Sequence, residues 1–239
     1  YPATRAIKKD FIPIPCSDGF VRPVILILLE ELVESGIEEI CLVLGSEEER
    51  KQYFDFFDKP LPDEHIAKLN PQCYEYEKRI SEIGKRLRYV YQVEKRGFGH
   101  AVYQAADFAG GEPVLLMLGD TIYQSHNNKP CALQLIEKYE KDNTLMVGIH
   151  PIPLSDVSHY GILKGIWEDR ECKVLNVSAM HEKPKASYAE EFLSVLSQDG
   201  SKGYYSVFGQ YILTPEVFEQ LANDIKLSDE KGIEGEIEL

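Results

Sequence analysis

The chain has 239 residues, with 26 Lys plus Arg against 40 Asp plus Glu, a formal net charge of −14. That length suits one large α/β domain, and 44% hydrophobic with 28% charged residues argues against disorder. The acidic balance argues against a general nucleic-acid or anionic-membrane binder, since both need a basic face, yet it permits small polyanions held by a few lysines.

Residues 23–35 read as a helix, with proline in the first turn and Gly36 just past the end. Residues 39–44 (EICLVL) form a short apolar run closed by Gly45 and read as a buried strand. Ser46 with Glu49 is a capping-box signature for the next helix, which carries Tyr53, Phe54 and Phe57. After a proline-rich break at residues 59–63, a charged helical stretch runs to about Lys85. Residues 88–92 are strand-like and 99–108 resume a helix. Residues 113–118 (PVLLML) are the clearest buried strand, ended by Gly119-Asp120. Residues 130–141 are helical and 144–150 a strand. Strand-length pieces follow at 161–167, 173–177 and 204–213, before Thr214-Pro215 opens a last helix.

This β–α rhythm predicts a mostly parallel sheet with helices on both faces. Ligands of such sheets bind beyond the carboxyl ends of the strands, which directs attention to the loops after Leu44, Gln92 and Leu118. Cys16, Cys41, Cys73, Cys131 and Cys172 are scattered, without a CxxC pair or zinc spacing, and read as the reduced thiols of a cytoplasmic protein. No stretch approaches the roughly 18 apolar residues of a membrane span. The opening at Tyr1, without a methionine, leads one to expect further chain upstream.

Chemistry-bearing residues stand in four places. Gly97-Phe98-Gly99-His100 opens a helix after a strand, where glycines allow close backbone approach and the helix start favours an anion; it also reads as a plain strand-to-helix turn. Asp120, directly after the apolar strand, suits Mg²⁺ beside a phosphate, or a turn aspartate. Glu182-Lys183-Pro184-Lys185 offers an acceptor for hydroxyls and an ammonium for phosphate, or simply an exposed charged turn. Lys8-Lys9 reads as a phosphate clamp or a solvated pair. The histidines lack metal-ligand spacing, and no GxSxG nucleophile elbow exists.

The order of these blocks is more specific than any one of them. Residues 1–14 (YPATRAIKKDFIPI) resemble the YPATKAxPKEMLPI segment of bacterial UTP–glucose-1-phosphate uridylyltransferases. The resemblance continues through Gln92 and Gly97-Phe98-Gly99-His100-Ala101-Val102, Leu118-Gly119-Asp120, residues 156–162, Glu182-Lys183-Pro184-Lys185, residues 209–218 and residues 235–239. It implies a sugar-1-phosphate nucleotidyltransferase on a Rossmann-like mixed sheet. By that resemblance a phosphate oxygen of glucose 1-phosphate attacks the α-phosphate of UTP in line and expels pyrophosphate. Lys9 would neutralise the nucleoside phosphates, and Asp120 would hold Mg²⁺, the one cofactor implied. Gln92, Gly97 and Gly99 would contact the nucleotide. Glu182 would accept sugar hydroxyls, Lys183 would bind the sugar phosphate, and Gly161 and Gly209 would let the sugar approach backbone. The resemblance further implies small-molecule partners and assembly into a homo-oligomer.

It also frames the chain as a single nucleotidyltransferase domain, with residues 1–125 serving the nucleotide and 126–239 the sugar. A glycine-rich GxGTR loop with the first strand would precede Tyr1, and a Thr-Asp pair would follow Leu239. Departures lie at Lys8, where the family has proline, at Lys95, at Thr121, at Tyr204, at Gln210 in place of arginine, and in the Ser17-Asp18-Gly19-Phe20 turn. These bear on base and sugar choice. Three alternatives stay open: a dTTP-using thymidylyltransferase, a non-catalytic binder of nucleotide sugars, and an interaction module that has kept only the fold.

Overall fold

The computed structural model describes residues 5, 7–168, 173–197, 199–232 and 235–239. Cys172 and residues 1–4 and 6 of the opening block lie outside the described residues. The chain forms two compact units: Tyr1–Leu115, Gly119–Thr144 and Leu213–Leu239 make one, and Leu116–Leu118 with Leu145–Ile212 make the other.

In the first unit a 3₁₀ turn at Lys9–Phe11 leads into an antiparallel hairpin of β1 (Pro13–Pro15) and β2 (Val21–Pro23). The sequence suggested only a lengthened turn here. Gly19 supplies the positive φ of 87° the tight reversal needs, and Cys16 and Phe20 close it through a backbone hydrogen bond of 2.8 Å. Helix α1 (Val24–Glu34) follows at once, with Pro23 as its extended N-cap. Seven of its eleven residues are buried, which makes it a core helix apolar round most of its circumference. β3 (Ile40–Leu44), α2 (Glu47–Tyr53), a π-helical turn at Phe54–Asp58, α3 (Asp63–Ile66) and α4 (Pro71–Gly84) then lead to β4 (Leu87–Tyr91). β3 and β4 pair in parallel, from Ile40 opposite Leu87 to Leu44 opposite Tyr91.

The helix predicted over 99–108 is divided into α5 (Phe98–Tyr103) and α6 (Ala106–Ala109). β5 (Val114–Met117) follows and then α7 (Cys131–Asp142). β5 is half-buried along its whole length rather than fully buried. The second unit holds β6 (Met146–Ile152), β7 (Gly161–Trp167), β8 (Leu175–Glu182), α8 (Ala186–Tyr188), β9 (Val195–Leu196) and β10 (Lys202–Leu213). Its sheet runs β5, β10, β7, β8, with β6 and β9 also on β10. Val157, Ile162, Ala189, Leu193 and Tyr204 form its core. The last helix, α9 (Pro215–Lys231), returns to the first unit.

The mixed α/β class holds, with two refinements. Among the registers described, parallel pairing belongs to β3 and β4. The ladders of β10 with β6, β7 and β9, and of β7 with β8, run antiparallel. The division into compact units also falls near residues 144 and 213. The reason is packing: α7 lies on α1, and α9 lies on α5. Among the described residues no helix is long and apolar enough to cross a membrane.

One ionic network joins the hairpin, α1 and α4. The Glu30 side chain, 12% exposed, accepts from the Tyr76 hydroxyl at 2.6 Å and pairs with Arg22 Nε at 3.0 Å and Arg79 Nε at 3.2 Å. Removing one partner of a buried ion network leaves the others uncompensated. Glu30→Ala is therefore expected to cost about 3 kcal/mol in urea unfolding; a loss near zero would mean the arginines find water instead. At the hairpin tip, hydrogen bonds from Arg22 hold the Asp18 carboxyl at about 2, below its ordinary 3.8. A depressed folded pKa stabilises above the unfolded value and loses that stabilisation as pH falls towards 2. Thermal melts between pH 5 and 2 are thus expected to fall less steeply for Asp18→Asn than for the unaltered chain.

Candidate active site

The candidate residues of the first unit lie on the turn at Lys9–Phe11 and on the chain just after β4 and β5. Ser46 caps α2 by accepting from Glu49 N at 3.3 Å, but Glu49 does not return the capping-box bond to Ser46. Its carboxylate accepts instead from Gly45 N at 3.2 Å and from Lys8 Nζ at 2.9 Å. The two adjacent lysines are thereby separated in role. Lys8 turns inward to Glu49 and Tyr53, whereas Lys9 Nζ donates to Asp120 Oδ2 at 3.2 Å, across 111 residues of sequence. Both members of that pair are exposed, at 62% and 47%. An exposed ion pair contributes only about 0–1 kcal/mol. It fixes little by itself and yields readily to a stronger anion or cation.

Gln92 continues from β4, its backbone N–H donating to Leu44 O at 2.8 Å. Its side-chain Nε2 donates to Gly97 O at 2.9 Å and stands 3.2 Å from His100 Nδ1. A carbonyl can only accept, so the NH₂ group must face Gly97, which leaves the Gln92 Oε1 acceptor outside these contacts. Gln104 Nε2 likewise faces a carbonyl, that of His100, at 3.1 Å and stands 3.3 Å from His100 Nε2. A neutral imidazole can accept through one nitrogen, so only one of the two amides bonds to the ring.

The glycines of this loop answer to packing. Gly97 has φ 100°, and a Cβ there would meet Ile237 N and O at 2.7 Å. At Gly99 a Cβ would meet Glu238 O at 2.3 Å and Leu221 Cδ2 at 2.8 Å. Ile237 N donates to Arg96 O and Gly99 N donates to Ile237 O, each at 2.8 Å. Arg96 pairs with Asp229 of α9 at 2.7 Å. The segment 235–239 is thus docked on the very loop that carries Gly97, a contact between two motifs that the sequence leaves far apart. A strand-like docking strip can be suspected from the alternating residues of 235–239, but its site on residues 96–99 has no sequence signal.

In the second unit β7 and β8 bring Gly161 opposite Glu182. A Cβ at Gly161 would meet Glu182 Oε2 at 2.9 Å and Met180 Cε at 3.3 Å. Lys183 Nζ lies 3.0 Å from Glu182 Oε1, both side chains being exposed. Lys183 takes φ 45°, a left-handed conformation that costs a non-glycine residue energy. It is held there by a bond from its N–H to Tyr160 O at 3.0 Å and by the fully buried Pro184. Gly209, at φ 77°, lies in the irregular stretch of β10 and accepts from Leu118 N at 3.0 Å. Burial, and then the charge of Glu182, push the nearby Tyr211 hydroxyl up.

Among the described residues no group of three or more His, Cys, Asp or Glu side chains could hold a metal ion. Asp120 is an exposed carboxylate. That suits Mg²⁺, which binds through one or two carboxylates with water and phosphates completing the shell, and does not suit an all-protein cage.

The lysine–aspartate pair and the glycine-bearing loop after β4 belong to a mixed α/β protein. The nucleotidyl transferase family model matches residues 1–237, and the chain belongs to that family. It is 32% identical over 240 residues to UTP–glucose-1-phosphate uridylyltransferase 2 of Staphylococcus saprophyticus, spanning 100% of this chain and 73% of that protein. The structure of an apo UDP-glucose pyrophosphorylase matches with a TM-score of 0.73 at 29% identity, over 93% of this chain and 74% of that one. A UDP-glucose pyrophosphorylase complexed with UDP-glucose gives 0.70 at 28% identity, over 92% and 73%.

The docking of residues 235–239 yields a test. Gly99→Ala drives a Cβ into the Glu238 carbonyl and is expected to speed amide exchange at Gly99-flanking residues and Ile237 by at least about tenfold, a local loss above about 1.4 kcal/mol. Unchanged protection would mean that the segment accommodates the methyl group and is not clamped.

Proposed function

We propose that this chain transfers a uridylyl group from UTP to glucose 1-phosphate, giving UDP-glucose and pyrophosphate. The observation that carries the reading is the Lys9–Asp120 pair, a cation and a metal-competent carboxylate 3.2 Å apart at the loop ends of an α/β unit. The 32% identity to a UTP–glucose-1-phosphate uridylyltransferase supports the choice of base and sugar.

The chemical difficulty is the approach of two anions. Bound Mg²⁺, held by Asp120, would supply charge neutralisation at the phosphates. Lys9 would exchange its partner Asp120 for a phosphate oxygen of the nucleotide, and its charge counts most as negative charge builds between nucleophile and leaving pyrophosphate. Gln92, with its NH₂ engaged at Gly97, offers Oε1 to a ring N–H of the base. Uracil and thymine both carry that N–H and cytosine does not, so this contact disfavours cytosine without separating uracil from thymine. Glu182 would accept from sugar hydroxyls, and Lys183, aimed outward by its strained backbone, would orient the sugar phosphate. Gly161 and Gly209 would admit the sugar close to the backbone. No covalent intermediate on the enzyme is required, because orientation of two bound substrates can itself provide several powers of ten in rate.

Pyrophosphate release with glucose 1-phosphate tests the reading. Turnover with UTP is expected to exceed that with dTTP, to vanish with EDTA and to return with Mg²⁺. Lys9→Ala is expected to lower kcat by about 10²-fold or more. Equal or better turnover with dTTP would make the chain a thymidylyltransferase. Binding of UDP-glucose without any pyrophosphate release would make it a non-catalytic binder.

A further inference from the structure

We propose that Tyr53 is a positioning residue for this transfer, a buried post that fixes the turn at Lys9–Phe11 so that the Lys9 ammonium faces Asp120. The inference rests on the reading of Lys9 as the cation at the nucleoside phosphates.

Tyr53 ends α2 and is 2% exposed. It meets the turn at three points. Lys8 Nζ donates to its hydroxyl at 3.2 Å and lies 4.9 Å from its ring centroid. The hydroxyl itself donates to Asp10 Oδ2. The Phe11 ring stands edge-on to it at 5.1 Å. Lys9, the remaining residue of the four from Lys8 to Phe11, reaches Asp120 instead.

The turn geometry accounts for that pattern. A 3₁₀ turn has three residues per revolution, so residues three apart eclipse one another. Phe11 N donates to Lys8 O at 3.0 Å, which closes the revolution and brings Lys8 and Phe11 onto the same side, against Tyr53. Lys9 and Asp10 then project on either flank, and the short Asp10 side chain is drawn back to the hydroxyl. The longer Lys9 side chain is left to the opposite flank, where Asp120 stands.

Charge reinforces the arrangement. Lys8 lies 2.9 Å from Glu49 and 3.4 Å from Asp10, so one ammonium balances two carboxylates around the phenol. Burial, and next the bond and charge of Asp10, push the Tyr53 hydroxyl well above its ordinary range, which keeps it protonated as a donor. A loosely held Lys9 would still be attracted to phosphate, but misplacement of about 1 Å is enough to cost up to about 10² in rate.

Tyr53→Phe tests this, because it retains the ring against Phe11 and removes only the hydroxyl link between Lys8 and Asp10. It is expected to lower kcat for pyrophosphate release about tenfold with the KM for glucose 1-phosphate unchanged. In a Lys9→Ala background the same change is expected to cost nothing further. Acetylation of Lys9 by acetic anhydride, followed by mass spectrometry, is expected to quicken about twofold as the Asp120 pair loosens. Asp10→Asn weakens the same link without a new apolar group and is expected to move both readouts in the same direction. Unchanged kcat and labelling, or an equal further loss in the Lys9→Ala background, would overturn the proposal. Faster Lys9 labelling in the variant, with no UTP-dependent pyrophosphate release from the unaltered chain, would uphold the post and overturn the uridylyl reading instead.

Discussion

A chain of net charge −14 can handle phosphates only by building a local positive site against its own field. In the proposed function that site is Lys9 together with a metal ion at Asp120. The pair is exposed and worth little as an adhesive, so it cannot be what sets its own geometry. The ordering must come from elements behind it. Tyr53, buried at the end of α2, and Lys8, balanced between Glu49 and Asp10, form that backing. The site thus follows a general division of labour, in which exposed groups meet the ligand and buried ones aim them.

The same division recurs along the chain. Gln92 is aimed by Gly97 and His100, and that loop is itself seated on residues 235–239 and tied to α9 by Arg96 and Asp229. In the second unit the exposed Lys183 is aimed by strain, with Tyr160 O and the buried Pro184 holding a left-handed backbone. Each proposed ligand contact is therefore weak on its surface side and over-determined on its protein side.

Most elements were legible in the sequence because their signals are local. The apolar runs of α1, β3, β4 and β7, and the Thr214-Pro215 start of α9, needed nothing beyond periodicity and capping chemistry. The β1–β2 hairpin was not legible: its strands are three residues long and rich in proline, and Arg22 and Phe20 meet Tyr76 of α4 far along the chain. Candidate site residues were likewise found by type and order, but their company was not. The resemblance singled out Lys9 over Lys8, but only the 3₁₀ turn shows one sent inward to Glu49 and the other to Asp120. Gly97 and Gly99 read as room for a ligand, and their packing against residues 237 and 238 was not legible. The long-range antiparallel ladders on β10 also left no mark that separates them from buried parallel strands.

The central claim is that Lys9 and Asp120 act as one unit on the phosphates, and a double-mutant cycle in kcat/KM for UTP measures this most directly. Lys9→Ala and Asp120→Ala are compared singly and together in pyrophosphate release, with Mg²⁺ saturating. The account predicts strong non-additivity, the double variant losing little more than the worse single one. Losses that multiply independently would contradict it, and would assign the two residues to separate tasks.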